Sequence, residues 1–174
     1  MSNDDALRYP IGKFAAKDSY TPAEVQHNIS AIEQLPEKIE DIARGFGEKQ
    51  LSTVYREGGW TGRQVLHHLP DSHMNAYIRF KWTLTEDTPL IKAYEEKLWA
   101  TTPETNADPS LSIAVLKALH AKWVVLLRGL SASDLQRQFI HPDGQKHIKL
   151  ERLIALYAWH GDHHLGHLKI IATK

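Results

Sequence analysis

The sequence predicts an all-α protein, a four-helix bundle with a short hairpin between its third and fourth long helices. Three observations point there. Four long segments carry apolar residues at the spacing of one helix face, two of them open on Thr-x-x-Glu or Thr-x-x-Gln, and strand-like alternation is confined to FIHPDGQKHIKL. The chain, at 174 residues, is long enough to bury a core without disulfides and is read as one domain, residues 1–174.

The first 20 residues mix Gly, Pro, Lys and aromatics without a period and predict an extended arm over the surface. Thr21 then opens the first long helix. Its side chain can cap the start, Pro22 suits the first helical position, and Glu24 completes a capping box. This helix should run to about Gly45, carrying Val25, Ile29, Ile32 and Leu35 inward. After the Gly58-Gly59 break, Thr61 and Gln64 repeat the box. A second helix from Thr61 to about Thr85 would be ~37 Å long, kinked at Pro70, which removes one backbone bond and crowds the carbonyl four residues earlier.

Pro89 through Pro109 reads as a long connection with a short helical piece around Tyr94 to Leu98. Asp108-Pro109-Ser110 starts the third long helix, with Leu111, Val115, Leu116, Leu119, Trp123 and Leu126 as its inward stripe and Gly129 as its end. Ser131 to Leu135 forms a further helical turn, and the hairpin folds around Pro142-Asp143-Gly144. The fourth long helix runs from about Leu150 to Thr173, with Leu153, Tyr157, His160, His164, Leu168 and Ile171 along one stripe. The long connection leaves the packing order open.

Lys+Arg and Asp+Glu both count 21, so the formal net charge is zero and no basic block supplies the counterion-release term of nucleic-acid binding. No DNA or RNA partner is expected. No apolar run approaches the ~20 residues of a membrane helix, and the polar opening MSNDDALRYP lacks a signal peptide's apolar region; both predict a cytoplasmic protein with no membrane partner. The chain has no cysteine, which excludes disulfides, thiolate zinc sites and a protein thiol nucleophile. It does carry 11 histidines, and neutral imidazole suits zinc, nickel, copper or iron.

His160 and His164 are four residues apart, so the second ring is rotated by ~40° and raised by ~6 Å and both lie on one helix face. They continue the apolar stripe and so face the bundle interior. Two unpaired buried imidazoles would each cost about 1 to 3 kcal/mol. A shared metal removes that cost; hydrogen bonds within the core are the alternative. His163 and His167 form a second pair rotated toward the helix flank, readable as ligands, as partners behind the ligands, as solvent-facing side chains, or as contacts across an oligomer interface.

A third ligand must come from another helix, and the second offers His67, His68 and His73. The inward line through Val65, Leu69, Ser72, Ala76 and Phe80 passes beside His68, which makes His68 the interior candidate and His73 dispensable. Asn75 and Arg79 follow His68 on the same side and are candidate substrate-binding residues, unless Arg79 snorkels outward and Asn75 bonds to backbone. Three neutral histidines match the open type of metal site, in which water or substrate takes the remaining positions.

The stretches YPIG, GGWTGRQVLHHLPDSHMNAYIRFK and LYAWHGDHHLGHL closely resemble the YfiT-like branch of the DinB superfamily, and the similarity runs over nearly the whole chain. The resemblance implies a four-helix bundle, a homodimer, and one nickel or zinc ion per chain held by three histidines. The family's ligand positions fall on His68 in HHLPDSH and on His160 and His164 in WHGDHH. Pro70 departs from the pattern, where relatives tend to carry Ala. Metal-dependent hydrolysis is the activity implied for this branch, and transfer of low-molecular-weight thiols such as bacillithiol for related members.

The leading expectation is therefore a divalent-metal-dependent enzyme acting on a small molecule, either a hydrolase or a thiol S-transferase. Hydrolysis calls for a general base, and the acidic residues nearest the ligands in sequence are Asp71 and Asp162, neither clearly inward. A thiol transferase needs less, because the metal lowers the thiol's pKa and Arg79 could hold the cosubstrate's charged arms. A non-catalytic metal-binding module and a metal-free structural bundle are the competing classes. Trp82 and Trp99 are candidates for a dimer contact.

Overall fold

The computed structural model describes residues 3–174. Its frame is four long helices, α2 (Pro22–Ala43), α4 (Gly62–Thr85), α6 (Ser110–Arg128) and α8 (Leu150–Ala172). Short helix α1 (Asn3–Arg8) precedes the frame, and α3 (Glu48–Ser52), α5 (Glu96–Trp99) and α7 (Ala132–Leu135) sit in the connections. Strands β1 (Gln138–His141) and β2 (Lys146–Lys149) form the expected antiparallel hairpin, pairing Gln138 with Lys149 and His141 with Lys146.

Both capping boxes form. Glu24 N–H donates to Thr21 Oγ1 and Thr21 N–H to Glu24 Oε2, and Thr61 and Gln64 repeat the exchange at the start of α4. Helix α4 is continuous through the buried Pro70, and α2 is continuous through Pro36. Helix α2 packs along α8 and α6, and α4 along α6 and α8. Chain neighbours α2 and α4 thus stand at opposite corners, which settles the packing order that the sequence left open.

Three expectations need correction. The N-terminal segment is not simply an extended arm: it begins with α1, and beyond it Gly12 O accepts from Trp159 Nε1 of α8 at 3.1 Å. Helix α6 is also turned relative to the expected stripe. It buries Leu116, His120, Trp123, Val124 and Leu127, while Leu111 and Val115 are exposed. Apolar residues lie all round this helix, Val125 included, so periodicity alone does not select the buried side. By length and composition α6 could even cross a membrane, contrary to the sequence reading, but here it packs lengthwise into the bundle.

The apolar core comes in two parts. One contains Ile29, Ile32, Ala76, Phe80, Trp123, Leu127 and Tyr157. The other contains Leu35, Ile39, Leu66, Leu69, Leu116, Leu165 and Leu168. On every long helix the division falls at one level, between Ile32 and Leu35, Leu69 and Ala76, Leu116 and Trp123, Tyr157 and Leu165. Histidines fill that level.

Helices α2 and α8 approach closely at Gly161, where a Cβ would come within 2.4 Å of Leu35 Cδ2, a side chain only 2% exposed. Gly161→Ala should therefore lower stability by about 1 to 3 kcal/mol despite alanine's better helix propensity. Denaturant unfolding checks this, and an unchanged or raised midpoint would contradict the close packing.

Candidate metal centre

Ring nitrogens of His68, His160 and His164 lie within 4.8 Å of one another, a group that could hold a metal ion. His68 Nε2 and His160 Nε2 are 3.3 Å apart. One helix, α4, supplies His68, and α8 supplies the other two from successive turns, as their spacing predicts. Among the described residues no carboxylate joins the group.

The loop before α4 closes one side of it. Backbone pairing of Val54 with Thr61 makes a tight turn, and Gly58 takes φ of 63° there, a conformation that a side chain disfavours. The turn lays Trp60 against His68, ring centroids 4.5 Å apart, and stacks Tyr55 on His167 at 3.8 Å.

Behind the trio stand histidines that the sequence reading undervalued. His73 is fully buried, and its Nε2 lies 3.1 Å from His160 Nδ1. His73 Nδ1 in turn lies 2.9 Å from Nε2 of His120, a residue of α6 that sequence reading passed over. His120 Nδ1 reaches the Ile32 carbonyl at 2.6 Å. The available signal was its place in the buried run Leu116, His120, Trp123, Leu127. His73 is thus linked through both ring nitrogens, to His160 on α8 and to His120 on α6.

His163 and His167 are both buried, not turned to solvent. His167 backs His164, Nδ1 to Nδ1 at 3.3 Å, and its Nε2 donates to the Arg8 carbonyl at 3.2 Å. His163 stacks on Trp159. His67 lies outside the group, bonded to Ser112 Oγ and Ala107 O.

Burial dominates the electrostatics. It lowers the pKa of His68 to about 3 and of His120, His163 and His167 to about 4, and holds His73, His160 and His164 well below the ordinary value. These rings are neutral at pH 7, as metal ligation requires. Asp71, half-buried on α4, is raised to about 6 by the same loss of water and by Glu104.

Arg79 lies deep in the structure, 8% exposed, so it does not snorkel outward. Its Nε has no hydrogen-bond partner, and no ion pair engages the guanidinium among the described residues. Tyr94, Glu96, Tyr157 and His141 are near enough to feel its charge. Asn75 Nδ2 donates to the Asp71 carbonyl of its own helix at 2.9 Å, the backbone bond foreseen as the alternative to substrate contact. Asp162 borders a groove with the N-terminal segment.

The depressed histidines make stability depend on pH. Unfolded imidazoles protonate near 6.5 and the buried ones only near 3 to 4, so between these values the unfolded state binds more protons and stability falls as pH falls. Each such group contributes a slope of up to ~1.4 kcal/mol per pH unit. Melting curves in excess chelator should show a steep drop from pH 7 to pH 5, and a flat profile would mean that the histidines are not buried neutral.

The DinB superfamily model matches residues 31–168. The solved structure of YfiT from Bacillus subtilis, described as a probable metal-dependent hydrolase with an unusual four-helix bundle topology, superposes with a TM-score of 0.94 at 44% identity, covering 97% of both chains. In sequence, Bacillus subtilis YfiT is 45% identical over 97% of this chain and 95% of its own length. A Bacillus cereus (strain AH820) protein given the same provisional description is 48% identical over 97% of this chain and 96% of its own length. The shared bundle and near full-length identity place this chain in the DinB superfamily, in its YfiT-like branch.

Proposed function

We propose that this protein is a divalent-metal-dependent enzyme acting on a small molecule, most simply a hydrolase, with His68, His160 and His164 holding one zinc or nickel ion per chain. The observation that carries the reading is the convergence of three imidazole nitrogens within 4.8 Å inside the bundle. The donor set fits: the rings are neutral through burial, and His68 and His160 turn nitrogen toward nitrogen, an arrangement that a cation relieves. An ion bound there acts as a Lewis acid and lowers the pKa of a water or thiol beside it.

The chain's own part is to hold, orient and exclude water. Trp60 covers His68, and Tyr55 covers His167. Arg79, eleven residues beyond His68 on α4, stands about 16 Å along the helix, and its unpaired guanidinium suits an anionic arm of a substrate or cosubstrate. Asn75, between them, spends one amide N–H on the Asp71 carbonyl, which leaves its Oδ1 and its second N–H to offer. The missing carboxylate at the trio favours a second reading, transfer of an external low-molecular-weight thiol, for which no general base is needed. Relatives described as metal-dependent hydrolases support the first.

Metal analysis of protein purified without a His-tag should find one equivalent per chain, with sharp loss in His68→Ala, His160→Ala or His164→Ala. Full occupancy in His160→Ala sinks the assignment. Screening esters, amides and electrophiles with and without bacillithiol, glutathione or mycothiol separates hydrolysis from transfer. Arg79→Ala should raise KM more than it lowers kcat, and undiminished turnover by protein confirmed metal-free would refute the scheme.

The protein is a homodimer in this reading, with Trp82 and Trp99, 37% and 41% exposed, available to the contact. Light scattering at micromolar concentration should give twice the chain mass, and a monomeric mass overturns it.

A further inference from the structure

Helix α2 carries a proline in its interior, Pro36. The N–H of residue 36 would ordinarily bond the carbonyl of residue 32, but proline has none and its ring crowds that oxygen. Ile32 is left with a buried carbonyl that lacks its ordinary partner in its own helix. A donor comes from α6 instead, with His120 Nδ1 at 2.6 Å.

A carbonyl oxygen only accepts, so His120 Nδ1 carries the proton. Neutral imidazole has one N–H; His120 Nε2 is therefore an acceptor, and it faces His73 Nδ1 at 2.9 Å. His73 Nδ1 must then donate. His73 Nε2 becomes an acceptor and takes the proton of His160 Nδ1 at 3.1 Å. That leaves His160 Nε2 bare, 3.3 Å from His68 Nε2. His164 reaches the same state separately: His167 Nε2–H donates to Arg8 O, so His167 Nδ1 accepts from His164 Nδ1–H and His164 Nε2 is bare.

We propose that Pro36 and His120 are positioning residues for the trio: the carbonyl freed by Pro36 fixes, through His120 and His73, the tautomer in which His160 turns an unprotonated Nε2 toward His68. The consequence for metal affinity rests on the metal reading above, whereas the tautomer itself does not.

The test uses the full-length protein. In chelator-treated wild type at neutral pH, 15N-resolved imidazole spectra should show His73, His120 and His160 in the Nδ1–H form. Pro36→Ala restores an N–H for Ile32 O within the helix. His160 should then lose its uniform Nδ1–H form, and zinc affinity, read by competition with a chromophoric chelator, should fall about 10- to 100-fold. The melting temperature of the metal-free variant should not fall, because alanine is a far better helix former than proline. A merely structural proline would shift stability and leave the tautomer alone. His120→Leu, a second variant, should release His160 in the same way. An Nε2–H form of His160 in wild type, or wild-type tautomer and zinc affinity in Pro36→Ala, overturns the proposal. Wild type that shows the Nδ1–H forms yet binds no zinc overturns the metal reading and leaves the relay standing.

Discussion

A buried carbonyl without its ordinary helical N–H partner lies beneath the histidine layer, and the order of the layer follows from it. Ile32 O accepts from His120 because Pro36 supplies no competitor. Net of the exchange with water such a bond adds about 0.5 to 1.5 kcal/mol to stability, but leaving its members unpaired in the interior costs more than making it gains. Every ring that leads from it inherits a direction. His120, His73 and His160 come from three different helices, so one acceptor on α2 orders side chains on α4, α6 and α8.

The same requirement explains parts of the fold outside the four long helices. The last residue of α1 gives His167 its acceptor, Arg8 O, and the loop before α4 roofs the cluster with Tyr55 and Trp60. Both are needed to pair or cover imidazoles that have lost contact with water.

The frame and the trio were legible in the sequence for separable reasons. Capping at Thr21 and Thr61 is local chemistry, the His160 and His164 pairing is a single-helix relation, and the strand alternation around Pro142 is local too. What stayed illegible depends on partners from elsewhere. The buried face of α6 could not be chosen from a helix apolar all round, so His120 was missed with it. His73 was set aside because the line on its own helix favoured His68, and nothing in that line shows that α8 and α6 bring partners to both its nitrogens. His167 needed the Arg8 carbonyl, and a main-chain acceptor has no sequence signature.

Several local rules are broken at or beside one level of the bundle. Proline stands inside two helices, histidines interrupt an apolar core, and a glycine lets α2 and α8 approach closely. An interior proline alone costs about 3 kcal/mol against alanine. Stability alone would favour leucine and alanine at these positions, which would join the two apolar clusters into one. Departures scattered over the chain would read as tolerated drift. Gathered here, with the ring nitrogens of three helices linked in one hydrogen-bonded line, they have the pattern of a site for which stability was given up.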